Sequence, residues 1–143
     1  MRATINIDGK TVERFKGTCE VMVSKVGNGS RKAAQEACET ILEESLRQVP
    51  VDTGTLASSA SYKITGNYKT GWFGTVSYAS DIDPINPKTG RPASEYMVAV
   101  HEDLEALHII GKAKFLEDPA REYAKERYPR TVFKYVQESL ADV

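Results

Sequence analysis

The residues best placed to do chemistry are Asp52-Thr53-Gly54, His101-Glu102 with His108, and the two cysteines, Cys19 and Cys38. Two copies of Asp52 facing each other across a dimer axis would share a proton, an arrangement in which paired carboxylates serve as acid and base. The same triplet is also good turn chemistry. Asp accepts hydrogen bonds from backbone N–H groups two residues on, Thr53 does so more weakly, and Gly54 supplies a positive φ. His101-Glu102 and His108 suggest metal ligation, but no second histidine stands at helical spacing from His101, and its segment alternates as a strand does. Hydrogen-bonding or interface roles are therefore expected for them, and no metal. Neither cysteine has a second cysteine or a histidine at ligand spacing. Both fall on apolar sides of helical segments, where a thiol behaves as a small hydrophobe. No serine or cysteine has a neighbouring base that would mark a nucleophile. Gly27 and Gly29, and Gly71 and Gly74, lack the strand-to-helix setting of nucleotide loops, and Lys112, Lys114 and Arg121 read as a solvated basic face. No cofactor is expected.

The elements that must position these residues follow from periodicity. Ile5 and Ile7 alternate with polar neighbours ahead of Asp8-Gly9, which predicts a short strand and a turn. Val12, Phe15, Cys19, Met22 and Val26 recur at intervals of three and four, one apolar helical stripe, and Gly27-Asn28-Gly29 is expected to end that helix. A second helix is predicted from Ser30, as N-cap, to about Gln48, with Ala34, Ala37, Cys38, Ile41, Leu42 and Ser45 on one side. Pro50 disfavours helical backbone at Val49 and stops it. After a hinge at 49–59 the pattern alternates. Tyr62 and Ile64 mark one strand, 67–71 a turn, 72–78 the return strand and 95–101 a further strand. The connection at 79–94 holds three prolines and has too little apolar content to pack by itself. Residues 104–114 are ambiguous. Asp118 as N-cap and Pro119 at the first helical position open a terminal helix that Pro129 breaks near Arg127 or Tyr128. The pattern is α+β: an antiparallel meander of about three strands packed by an N-terminal helix pair and a C-terminal helix.

A length of 143 residues suits one domain covering 1–143. With 41% hydrophobic and 27% charged residues the composition is that of a folded soluble protein. A net charge of -1 argues against general nucleic-acid binding, which needs a basic stripe to displace counterions from phosphates. The N-terminal residues lack the apolar core of a signal peptide and no run approaches the length of a membrane span, so a cytosolic protein with reduced cysteines is expected.

Two stretches carry a resemblance. Pro50-Val51-Asp52-Thr53-Gly54-Thr55-Leu56 with Ser58-Ser59, placed after an amphipathic helix rich in Lys and Glu, resembles the signature of the tailed-bacteriophage neck and tail-completion family of head-tail joining proteins. Tyr96-Met97-Val98-Ala99-Val100-His101-Glu102, then His108 and Gly111-Lys112-Ala113-Lys114-Phe115-Leu116-Glu117 before a terminal helix, is similar to that family's second block. The resemblance runs from about Val12 to the end of the chain.

It implies a structural virion protein without catalysis, forming a ring in the neck or at the upper end of the tail that joins head to tail. Another minor tail or tail-terminator protein is the near alternative. The implied partners are copies of the chain itself, as a hexamer or dodecamer, together with head-closure or connector proteins and tail-tube or tail-terminator proteins. DNA would pass through the lumen without specific binding, and no membrane is involved. The protein would be made in the host cytoplasm and reside in the virion. The motif positions so implied are Pro50, Asp52, Thr53, Gly54, Leu56, Ser59, Tyr96, His101, Glu102, Gly111, Lys112, Phe115 and Leu116. Trp72, Tyr78 and Arg91 are candidates for interface contacts, and the 79–94 loop for reaching an adjacent subunit or the channel.

Asp52-Thr53-Gly54 with Ile109-Ile110-Gly111 also resembles the dimeric retroviral-type aspartic proteases, with Asp52 as the catalytic carboxylate. In those enzymes, however, a hydrophobic strand leads into the catalytic turn and the fold is almost entirely β, whereas Asp52 follows an amphipathic helix and a proline.

Overall fold

The computed structural model describes residues 8–141; the short strand expected at Ile5 and Ile7 lies outside them. The chain runs as α1 (Gly9–Gln48), the single turn α2 (Thr55–Ser58), strands β1 (Ala60–Asn67) and β2 (Gly71–Tyr78), a 3-10 turn at Ala93–Glu95, α3 (Met97–Glu102), α4 (Glu117–Glu126) and α5 (Tyr128–Leu140). The architecture is α+β, with an antiparallel hairpin packed on one long helix and the C-terminal helices beside it.

Asp8 caps α1, its carboxylate accepting from the Thr11 N–H at 2.9 Å and the Thr11 hydroxyl at 2.7 Å. The predicted pair of N-terminal helices is instead one rod of 40 residues, ~60 Å long at 1.5 Å per residue. Gly27-Asn28-Gly29 does not end it, because those glycines serve contact and not termination. A Cβ on Gly29 would lie 2.7 Å from the Tyr135 carbonyl oxygen and 2.8 Å from Val136 Cα, and one on Gly27 would overlap Tyr68. Bare backbone there lets α5 and the hairpin tip lie directly on α1. That packing outweighs the ~1 kcal/mol that glycine costs inside a helix. Ser30, expected as an N-cap, sits mid-helix and donates its hydroxyl hydrogen to the Val26 carbonyl at 2.9 Å, a local bond that such residues make inside helices. Val49 is extended (φ -62°, ψ 133°) ahead of Pro50, and α1 stops at Gln48 as predicted.

The two kinds of glycine in α1 separate cleanly by experiment. Among the described residues nothing lies within 4 Å of a Cβ placed on Gly17, so Gly17→Ala is expected to stabilise the helix by ~0.5–1 kcal/mol. Gly29→Ala is expected to destabilise the fold by ~1–3 kcal/mol, since the added methyl meets backbone that cannot step aside. Thermal unfolding followed by helical circular dichroism reads the opposite signs. A rise in both variants would contradict the close approach of α5.

In the hairpin, β1 and β2 pair from Ala60↔Tyr78 to Asn67↔Gly71. The turn is held by Asn67, whose Oδ1 accepts from the Lys69 N–H at 2.8 Å and the Thr70 N–H at 3.1 Å. Gly74 lies under Cys38 Sγ, Tyr62 donates its hydroxyl hydrogen to Glu39 at 2.8 Å, and the Arg31 guanidinium covers the Trp72 ring at 5.6 Å.

Among the described residues the sheet has two strands, not three. The predicted strand at 95–101 is the end of the 3-10 turn followed by α3. Tyr96, Met97 and Val100 face the core while Val98 is 60% exposed. That spacing is helical, and in so short a run it mimics alternation.

The 79–94 connection also differs from expectation, because it is knit by hydrogen bonds where apolar content is lacking. Buried Asn86 accepts from the Lys88 N–H at 2.9 Å and donates its own N–H to the Arg91 carbonyl at 2.8 Å. Asp83 accepts from both the N–H (2.9 Å) and the hydroxyl (2.6 Å) of Ser94, and Ala93 is fully buried.

Helix α4 begins at Glu117, with Leu116 and not Asp118 in the cap position, and Pro119 is buried in its first turn. The break before Pro129 falls at Arg127, as predicted. Helix α5 is tied to α1 through Tyr135, which donates its hydroxyl hydrogen to Glu36 at 2.7 Å. The carboxylate lifts the Tyr135 pKa to about 12.

The core gathers Val49, Leu56, Tyr78, Ala93 and Phe115. Phe115 meets the Tyr78 ring edge-on at 5.1 Å and the His101 ring at 4.9 Å. Tyr78, an interface candidate from the sequence, is a core residue instead. Its hydroxyl shares a 2.7 Å hydrogen bond with buried Ser45, and burial raises its pKa.

Candidate functional site

The two stretches that carry the motif pattern close on each other in space. Pro50 releases the chain from α1, and Gly54, left-handed at φ 78°, is the N-cap residue of α2. The Thr53 and Thr55 hydroxyls share a 2.6 Å hydrogen bond, and buried Ser59 donates to the Leu56 carbonyl at 2.6 Å. The Asp52 carboxylate points outward, its side chain 68% exposed, and pairs with Lys88. The triplet is thus a turn that starts a helix and drops Leu56 into the core.

From the other stretch, Lys112 donates its N–H to the Gln48 carbonyl at 2.8 Å and Lys114 its N–H to the His101 carbonyl at 2.8 Å. Gly111, at φ 88°, lies so close that a Cβ would stand 2.5 Å from Pro50 N. Phe115 is buried and Leu116 half-buried against the same core.

His101 has both ring nitrogens engaged: Nδ1 meets Glu102 Oε1 at 2.7 Å and Nε2 accepts from the Glu117 N–H at 3.4 Å. This pattern suits a neutral ring protonated on Nδ1. Among the described residues no group of three or more His, Cys, Asp or Glu side chains is placed to hold a metal. Cys38 is buried, which raises its thiol pKa and makes the thiolate scarce, while Cys19 is half-buried.

An ion cluster braces this joint. Lys114 bridges Glu102 and, at 2.8 Å, Glu117, which also takes Arg121; Lys112 reaches Asp118 at 2.6 Å. Hydrogen bonds from Lys114 are the main cause that holds the Glu102 and Glu117 carboxyls below the usual range, and hydrogen bonds to Glu102 and then Glu117 raise the Lys114 pKa. The carboxylates have folded pKa values below their unfolded ones, so their stabilisation is full above the ordinary glutamate range and lost as pH falls through the folded values. Lys114→Met is accordingly expected to lower the melting temperature near neutral pH, with the gap to wild type closing on acidification and in high salt. A gap independent of both would assign the loss to packing.

Between the 50–56 turn and the 107–110 segment runs an open groove of about 400 Å³, lined by Val51, Thr53, Arg91, Tyr96, Leu107 and Ile110 among others. The Tyr96 hydroxyl and His108 Nε2 are buried at this groove without a hydrogen-bond partner among the described residues, and buried polar atoms in this state are few in folded proteins. Its lip carries Leu107 and Ile109, 101% and 102% exposed. Arg91 pairs through Nε with Glu95 at 2.8 Å. Trp72 is half-buried beneath Arg31 and does not line this groove. The arrangement suits recognition of an apolar side chain framed by a few hydrogen bonds. The sequence pointed to the turn and to Tyr96, but not to the lip, because a short apolar run inside 104–114 does not say which way it faces.

A second apolar surface lies on α1. From Gly9 to Val26 every residue is exposed except half-buried Cys19 and Lys25, and Phe15 is 69%, Val23 51% and Met22 43% exposed. No helix among the described residues is long and apolar enough to cross a membrane. Comparison of the chain with protein-family models, with curated proteins and with solved structures finds no match.

Proposed function

We propose that this chain is a structural protein of a tailed-bacteriophage virion, forming a ring in the neck or at the upper end of the tail that joins head to tail. One observation supports this reading above the rest. The two motif blocks form a single joint, Gly111 and Lys112 sealed against Gln48 and Pro50, with Leu56 and Phe115 in one core. Residues that resemble a family signature in two distant stretches thus have one structural task. Apolar side chains stand in solvent on the 107–110 lip beside that joint and, at the far end of α1, along its first half. Surfaces of this kind belong to proteins that complete their burial by assembly. Asp52, exposed and paired with Lys88 in a turn that opens a helix, serves the joint better than it serves a carboxylate pair.

The ring would be a hexamer or dodecamer, contacting connector or head-closure proteins on one side and tail-tube or terminator proteins on the other, with DNA passing through its lumen. Deleting the gene from the phage genome that encodes it tests the placement. Filled heads and free tails are expected to accumulate unjoined, and supplying the wild-type chain in trans to join them. Normal, infective particles without the chain would sink the proposal.

A further inference from the structure

We infer that the first half of α1 of one copy docks, through its Val12, Phe15, Cys19, Met22 and Val26 stripe, on the groove and 107–110 lip of the next copy. This rests on the ring-forming reading above and specifies the contact that would build the ring.

The stripe repeats at three and four residues, the spacing of a helix seam that faces a partner. It covers about two heptads, short of the three or four that a self-sufficient coiled coil sustains. The positions flanking the seam, Thr11, Lys16, Thr18, Val23 and Lys25, hold no acid, so two such helices laid side by side would gain no flanking ion pair. The stripe therefore suits a preformed surface better than a copy of itself.

Among the described residues, the 104–110 segment presents a surface whose exposed apolar side chains stand side by side. Leu104, Leu107, Ile109 and Ile110 are 71%, 101%, 102% and 56% exposed beside a groove that fits a large apolar side chain. Charge agrees with this pairing. Asp103 and Glu105 sit at the start of the lip, with Asp103 accepting the N–H groups of Glu105 at 3.0 Å and Ala106 at 3.1 Å, while Lys16, which also pairs with Glu13 at 3.1 Å, and Lys25 flank the stripe.

A ~27 Å helix segment meeting a different surface on its neighbour makes a heterologous contact, and such contacts propagate until rotation closes them into a ring. An isologous pairing of the stripes would stop at dimers.

Paired cysteines decide between these outcomes. In a Cys19→Ser background, Phe15→Cys combined with Ile109→Cys is expected, on mild oxidation, to give a ladder of cross-linked species beyond the dimer, while either cysteine alone gives none. Phe15→Asp, at an exposed position that leaves the fold intact by circular dichroism, is expected to raise the concentration needed for assembly by at least about tenfold, as loss of a central apolar anchor does. A wild-type oligomer that yields no ladder, or that Phe15→Asp leaves unchanged, would overturn this contact and leave the ring reading standing. Dimers from Phe15→Cys alone would assign the stripe to itself, and a cross-link to a different virion protein would assign it to that partner; either overturns the inference. A wild-type chain monomeric at every concentration would overturn both.

Discussion

Phe115→Ala is expected to lower the unfolding free energy by ~3–5 kcal/mol, the cost of removing a large aromatic from a filled core. Phe115 is 2% exposed and sits where four elements of the chain meet. Its ring meets Tyr78 at the end of β2 and His101 in α3, and its neighbours in the core are Val49 at the end of α1 and Leu56 in α2. The void left by the substitution is hard to close, because each wall belongs to an element anchored elsewhere. Tyr78 is held by its hydrogen bond to Ser45, and His101 by bonds to Glu102 and Glu117. Phe115→Leu, which keeps most of the volume, should cost far less, about 1.5 kcal/mol or below. Urea unfolding reads both as a shift of midpoint at constant slope. A loss near 1 kcal/mol for the alanine variant would mean that the core is centred elsewhere.

Gly111→Ala is expected to cost ~2–5 kcal/mol, from two causes that a control can separate. A non-glycine residue in the left-handed region loses ~1–2 kcal/mol, and a methyl forced into close-packed surroundings adds ~1–3 kcal/mol. The surroundings here are backbone: Pro50 N at 2.5 Å and the Gln48 carbonyl oxygen at 2.6 Å from the added Cβ. Gly54 shares the left-handed conformation (φ 78°), but among the described residues nothing lies within 4 Å of a Cβ placed there, so Gly54→Ala should show the conformational cost alone. The Lys112 amide, bonded to Gln48, should exchange faster with solvent in the Gly111 variant than in the Gly54 variant. Equal losses in the two would argue against the tight seam between the motif blocks.

Much of this fold was legible in the sequence. The end of α1 at Gln48, the hairpin with its Asn67 turn, and the break before Pro129 each follow from a local steric or hydrogen-bonding rule that acts over a few residues, and each is found. The α+β class followed from the change of periodicity at the hinge. Where tertiary contact opposed a local rule, the sequence reading failed. Gly27-Asn28-Gly29 has the composition of a helix stop, yet α5 and the hairpin press on that bare backbone and the helix continues. Tyr96-Met97-Val98-Ala99-Val100 has the residue types of a strand, yet the core takes Tyr96, Met97 and Val100 and leaves Val98 outside, so it coils.

The sequence by itself determined the residues of the joint. Pro50, Asp52, Thr53 and Gly54 could be singled out because turns and backbone restrictions are written in residue types, whereas Gly111 and Phe115 were marked by the resemblance alone. Only the tertiary structure decided that the two stretches meet, that Tyr78 is core, and that the apolar stripe of α1 has no cover within the described residues. Periodicity reports that one side of a helix is apolar, but burial depends on what the rest of the chain brings against it. Over residues 12–26 the described chain brings nothing that buries the stripe, and that difference between pattern and packing carries the assembly proposal.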